Sequence, residues 1–257
     1  MEMDKEDEFD PLVEMEAAKV NLQRLIFPKI NMLKVAVASA AQKSAFEGWH
    51  SALIVDFIHG LESYCGELRE TIGKERLSAA AWSTRSLLEL LVWIKFCRGS
   101  VENARRFHED ALRDAQGLVE AHAKTCEALG IDDKTSSLAF EQIQVLAKED
   151  LGLDRIDAIF FAVAKAAKAT GSVWSESFTH LNKTLSKFAH PTAALLHGVM
   201  PKDDTRRDLQ ACFINQGVHF ASHCVAELEA IVGVVEEIPM ASGYPPSADA
   251  PDEEVIN

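Results

Sequence analysis

The 257-residue sequence contains no C-x-x-C pair, and its five cysteines, Cys65, Cys97, Cys126, Cys212 and Cys224, are odd in number and scattered. That pattern excludes a disulfide framework and a zinc knuckle and fits a reducing compartment. A glycine-rich phosphate loop, a G-x-S-x-G elbow and a dinucleotide fingerprint are all absent, as is any repeat of obvious period. The common nucleotide, hydrolase and solenoid classes therefore have no support. No apolar run reaches membrane-spanning length without a charge, and the opening MEMDKEDEFD is acidic where a signal peptide is basic and then apolar. The expectation is a cytoplasmic chain with no membrane partner. Basic charge is scarce as well: 26 lysines and arginines face 40 acids, a formal net charge of −14. Such a balance disfavours RNA as a non-specific partner but leaves room for a local basic face.

What the sequence has in quantity is helical pattern. With 47% hydrophobic residues the chain can bury a large core. The periodicity predicts an all-α fold, a bundle of about eight to ten helices with no sheet, occupying residues 11–237 as one domain. Residues 1–10 read as a disordered acidic arm, and the proline-rich, acidic residues 238–257 as a disordered tail. The stretch AAAWSTRSLLELLVWIKF, from Ala79 to Phe96, is apolar nearly all round, so it is read as the helix that the others surround. Pro11 suits a first helical turn, and Pro28 is expected to kink one long helix over residues 12–43. Gly99 stands where a left-handed cap is often needed, followed by Ser100 as cap of the next helix. Gly130 ends that helix, and Ser or Thr in IDDKTSS is placed to cap another. The last helix is expected over about residues 205–237.

Chemistry is concentrated at few places. Arg85 and Glu89 are four apart in the central helix, so their side chains share a face and can pair. Inside a bundle such charges call for a structural or a functional reason, either a register-fixing ion pair or a ligand site. Between Phe161 and Met200 the local charge reverses, with Lys165, Lys168, Lys183 and Lys187 against the single acid Glu176. These lysines are either ordinary solvated side chains or a phosphate-facing rim. His190 precedes Pro191 and must therefore sit where a helix ends, its imidazole presented at a bend. His180, Lys183 and Lys187 are the candidate ligand-binding side chains beside it. His219, His223 and Glu227 follow one another at four-residue steps, a spacing that suits a metal but lacks the glutamate directly after the first histidine that a zinc-protease helix uses. His122 and Cys126 are also four apart, with no third ligand visible. No metal and no cofactor is expected.

The run WSTRSLLELLVWIKFCRGSVENARRFHEDALRD, followed far downstream by KTLSKFAHPTA, resembles a set of uncharacterised bacterial helical proteins. These share arginine-x-x-x-glutamate on one helix and a late histidine before a small residue or proline. They are similar in turn to the HEPN superfamily of helical bundles, some of whose members are metal-independent ribonucleases in toxin–antitoxin and antiviral systems. The likeness covers two short blocks between Trp82 and Thr192. It implies a helical bundle, with Arg85, Glu89 and His190 as site residues and a defence setting. Active HEPN ribonucleases carry arginine, a polar residue and histidine a few positions apart on one helix. Here the helix before His190 has Lys183 and Lys187 but no arginine, so a ribonuclease site requires Arg85 to reach His190 across the fold.

Three readings follow. The first is a binding module acting through a protein partner, a second copy of itself or a small ligand held at Arg85, Glu89 and His190. The second is a metal-independent endoribonuclease in which His190 takes a ribose proton, Arg85 or Lys187 stabilises the phosphate charge and Glu89 holds Arg85. The third is a metal-binding bundle through His219, His223 and Glu227.

Overall fold

In this computed structural model, residues 9–42, 48–154, 156, 162–190 and 203–233 are described. The predicted acidic arm, apart from Phe9 and Asp10, and the predicted tail lie outside them, as does Glu237, the expected end of the last helix. Asp10 opens helix α1 (Pro11–Asn21): its carboxylate accepts the N–H groups of Leu12 and Val13 at 2.9 and 3.4 Å. Pro11 takes the first turn, where its missing N–H leaves nothing unsatisfied.

The chain then passes through a π-helical stretch, Leu22–Ile26, into α2 (Phe27–Gln42). The accommodation of Pro28 is thus a change of hydrogen-bond register, with Phe27 donating to the carbonyl of Leu22, five residues back. Proline has no N–H to return to the preceding turn, and its ring crowds the carbonyl four residues before it. A wider turn relieves both problems. Leu22, Ile26, Ile30 and Leu33 are all buried, so the apolar stripe stays in phase across the bulge.

Helix α3 (Gly48–Thr71) ends in a turn with Gly73 at φ +75°, the left-handed region that favours glycine. Buried Gln210 secures this turn from across the core. Its Nε2 donates to the carbonyls of Thr71 and Lys74 at 2.9 and 2.6 Å, and its Oε1 accepts the N–H of Arg76 at 3.0 Å. One side chain thereby adds a second partner to three backbone groups that already bond within the turn, Lys74 N–H to the Thr71 carbonyl and Arg76 N–H to the Lys74 carbonyl, and ties the turn to the core.

Helix α4 (Leu77–Gly99) is the predicted central helix. It packs against α3, α5 (Val101–Leu129), α7 (Val163–Ala169), α8 (Ser172–Ala189) and α9 (Asp203–Val232), and the α4–α9 contact is the most extensive. Leu87, Leu88, Leu91, Val92 and Ile94 are almost wholly buried. Each such side chain contributes roughly 1.5–3 kcal/mol of transfer free energy, which explains why a helix with few favourable surface contacts is nonetheless fixed.

The cover is not complete, however. Trp82, Arg85, Glu89 and Trp93, spaced three and four apart, keep partial exposure and mark one open seam along α4. Gly99 differs from expectation too: it stays helical, and the chain turns at Ser100, which is extended at φ −169°. Ser100 Oγ accepts the N–H of Asn103, whose side chain returns to the carbonyl of Phe96 at 2.9 Å. Two bonds donated by Asn103, to Ser100 Oγ and to the Phe96 carbonyl, take the place of the glycine cap.

Helix α5 is long. Its first half packs on α4 and α3, while its second half pairs with α6 (Ser136–Leu151), ending at Gly130 with φ +66°. Leu112, Ile143, Ala147, Leu151 and Ile156 form a small cluster separate from the main core, so α5 and α6 make a two-helix arm. Asp133, not Ser or Thr, caps α6: its Oδ1 accepts the N–H groups of Thr135 and Ser136 at 3.1 and 3.0 Å. Helix α9 ends at Val232, with Gly233 at φ +74°. The described residues include no strand, and no helix among them is long and apolar enough to cross a membrane.

The tightest helix crossing is at Gly217 of α9. A Cβ there would stand 2.6 Å from Leu68 Cδ2 and 2.8 Å from Thr84 Oγ1, and Thr84 is itself tied to the Phe213 carbonyl at 2.7 Å. Gly217→Ala is expected to overpack the α3–α4–α9 junction and cost about 1–3 kcal/mol despite alanine's better helix propensity. The readout is a lower urea midpoint at unchanged m value; equal or higher stability would show that the junction can open freely.

Candidate functional site

Helix α8 presents a buried stripe and an opposing polar face. Phe178 and Leu185 are buried, and Leu181 and Phe188 pack beside them. Its end is set by Pro191: His190 is extended, at φ −108° and ψ 151°, as the residue before a proline should be. Spacings of three, four and three place His180, Lys183, Lys187 and His190 along one side of the helix, and all four are exposed.

Arg85 joins this end of α8 to α4. Its Nη1 stands 3.0 Å from His190 Nε2, its Nε donates to Asn182 Oδ1 at 2.8 Å, and its Nη2 pairs with Glu89 Oε1 at 2.9 Å. The sequence therefore leads to a real juxtaposition of Arg85, Glu89 and His190. Because a guanidinium only donates, His190 Nε2 must be the accepting nitrogen of a neutral ring, with its proton on Nδ1. The side chains of Arg85 and Glu89 are 25% and 30% exposed, so the pair borders solvent and does not lie inside the bundle. The interior-charge cost argued from sequence is correspondingly reduced, since water reaches both groups through the open seam of α4. Asn182 was not singled out by sequence. It lies more than two turns before His190 on α8, and nothing in its spacing marks it as a partner of Arg85.

A cleft of about 410 Å³ lies on the other side of Glu89, walled by Tyr64, Trp93, Phe107 and His108 with Asp56 at its edge. Its size falls in the range of small-ligand sites. Burial, then the charges of Glu67 and Glu89, push the Tyr64 hydroxyl above its usual pKa, keeping it protonated as a donor. His108 is tied to Asp150 at 3.0 Å and its ring stacks on Trp49.

The His219, His223 and Glu227 series has a different outcome. The two imidazoles meet edge to face at 4.5 Å between centroids, but the carboxylate is committed to α4. Glu227 Oε1 pairs with Lys95 Nζ at 2.7 Å, and Oε2 accepts from Arg98 Nη1. Burial disfavours the charge on Glu227, but the bonds and charges of Lys95 and Arg98 outweigh it and hold the carboxyl below its ordinary value of 4.5. Burial, followed by His219 and Lys95, lowers the pKa of His223. The four-residue spacing serves an ion cluster between α9 and α4, whose cationic half no pattern within α9 could reveal.

Two measurements follow. Removing the guanidinium in Arg85→Ala leaves Glu89, Asn182 and His190 without their shared partner. It is expected to cost about 1–3 kcal/mol, to couple with Asn182→Ala in a double-mutant cycle, and to abolish the preference for the Nδ1–H tautomer of His190 seen by ¹⁵N NMR. An unchanged tautomer would refute the contact. For Glu227, a folded pKa below the unfolded one means stability present above pH 4.5 and lost as pH falls through the folded value. The stability gap between wild type and Glu227→Gln should thus be largest near about pH 7 and narrow below about pH 4; a gap independent of pH would contradict the clasp.

Comparison of the chain with protein-family models, with curated proteins and with solved structures finds no significant match.

Proposed function

We propose that the protein is a helical-bundle binding protein whose site is the Arg85, Glu89, Asn182 and His190 cluster, and that its ligand carries a phosphate and a flat ring, as a nucleotide or a short single-stranded RNA does. The observation that supports this most is the 3.0 Å approach of Arg85 Nη1 to an exposed His190 imidazole, which joins groups 105 residues apart at the edge of solvent. Arg85 makes one contact through each guanidinium nitrogen, and its terminal nitrogens each carry a second N–H that can meet a phosphate oxygen. Lys183, Lys187 and His180 extend the anion-facing side along α8. Beyond Glu89, the aromatic walls of the cleft offer faces for stacking, and the Glu89 and Asp56 carboxylates can accept from the amino group of a base. With few cations at the site and a net charge of −14, binding should use only a few phosphates and depend modestly on salt.

The same contact favours metal-independent RNA cleavage as the second reading. A phosphate that draws Arg85 Nη1 away releases the lone pair of His190 Nε2. That nitrogen can take the proton of a ribose 2′-hydroxyl as its oxygen attacks phosphorus. The 5′-oxygen then leaves with a proton from water, and a cyclic phosphate remains.

Fluorescence-detected titration of a labelled single-stranded RNA tests binding. Arg85→Ala, and Lys183→Glu combined with Lys187→Glu, should each weaken it at least about tenfold, the loss of one or two charge-assisted hydrogen bonds. Binding unaffected by either change would remove the site. Cleavage that persists in a chelator and vanishes in His190→Ala would establish the nuclease reading; an intact RNA after prolonged incubation with wild type would end it and leave the binding reading standing.

A further inference from the structure

The tip of the α5–α6 arm brings a third residue to the His122 and Cys126 pair. His122 and Cys126 occupy successive turns at the end of α5, and the turn after Gly130 carries Asp133 back toward them. One ligand atom from each, an imidazole nitrogen, the Cys126 sulfur and an Asp133 carboxylate oxygen, lies within 4.8 Å of the other two. Cys126 Sγ and His122 Nε2 are 3.5 Å apart. The third ligand that sequence did not reveal is thus supplied by the capping residue of α6.

We propose that His122, Cys126 and Asp133 bind a divalent ion of borderline softness, zinc being the model case, at the tip of the arm. The donor set is the mixed nitrogen, sulfur and oxygen type that such ions accept. Ligand atoms around a tetrahedral ion stand about 3.3–3.8 Å apart, given bond lengths of about 2.0–2.3 Å. The histidine–cysteine pair already meets that spacing, and Asp133 has at most about 1.5 Å to move. Asp133 is also held for the purpose: its Oδ1 accepts the N–H groups of Thr135 and Ser136, leaving Oδ2 as the coordinating atom. Cys126 is buried and His122 exposed, which gives the ion an apolar inner side and an open outer one. Water fills the fourth position.

The arm gives such an ion a structural role. Its core is a handful of side chains, and its base is tied by the His108–Asp150 pair and by Arg105 Nη2 donating to the Leu151 carbonyl. Among the described residues, no ion pair joins α5 to α6 at the tip. An ion bridging the last turn of α5 to the first residues of α6 closes the open end of the hairpin, and the binding energy becomes local folding energy.

Cobalt titration of the reduced full-length protein tests this. One equivalent should produce the near-ultraviolet thiolate-to-cobalt band, displaced by zinc. Cys126→Ser should abolish the band, and His122→Ala and Asp133→Asn should each weaken binding at least about tenfold, since even outer partners of metal ligands are worth that much. Asp133→Asn keeps a capping oxygen and so preserves the turn, which separates ligand loss from unfolding. Cys212→Ser, at the exposed cysteine elsewhere, should leave the titration unchanged. A wild-type protein that yields no band, or a band that survives in Cys126→Ser, overturns the proposal.

Discussion

The burial of α4 is the constraint from which the remaining architecture follows. A helix apolar in nearly every direction cannot lie on a surface, so it must recruit neighbours until its sides are covered. Five helices do this, and α9 does most of it because Gly217 lets its backbone approach closely at Thr84. Polar side chains tie the junctions around this packing. Gln210 serves the α3–α4 turn, Thr84 the Phe213 carbonyl, and Ser100 with Asn103 the junction of α4 and α5. The Glu227 clasp adds charge complementarity where α9 meets the end of α4.

The polar cluster arises where that cover stops. Arg85 and Glu89 sit on the seam of α4 that keeps access to water, and α8 approaches from one side while the cleft against α3 and α5 opens on the other. A guanidinium at such a place can hold three partners in a plane without bearing the full cost of desolvation. The geometry ties the end of α8 to α4 and leaves an imidazole exposed. The arm repeats this logic on a smaller scale. Two helices with a minimal core extend from the bundle, and the residues able to reinforce their free end come from a helix end and the turn beside it.

Much of this architecture was legible in the sequence. The periodicity of α3, α4 and α5, Pro11 at a helix start and Gly130 at a helix end are local signals, and the structure contains each of them where expected. The extended backbone of His190 follows from Pro191 by steric exclusion alone. The helix expected over residues 12–43 runs unbroken to Gln42, and what local reading did not specify is the π turn at Leu22–Ile26, through which Leu22, Ile26 and Ile30 all stay on the core. Where reading failed, two local solutions were available and the neighbourhood selected one. Gly99 and Ser100 can both end a helix, and Asn103 reaching Phe96 decides for Ser100. Asp133 outcompetes Ser and Thr because its carboxylate accepts two N–H groups at once.

By itself, then, the sequence determined the helices, the identity of the central one and the rule that Arg85 and Glu89 share a face, because these depend on residues within one or two turns of each other. Tertiary structure alone decided that Arg85 meets His190 and Asn182, that Glu227 belongs to Lys95 and Arg98, and that Asp133 completes a set with His122 and Cys126. Helical spacing states which side chains lie on a common face, but not which other helix that face will meet. That choice is made by packing the whole apolar surface at once, and no short stretch of chain contains it.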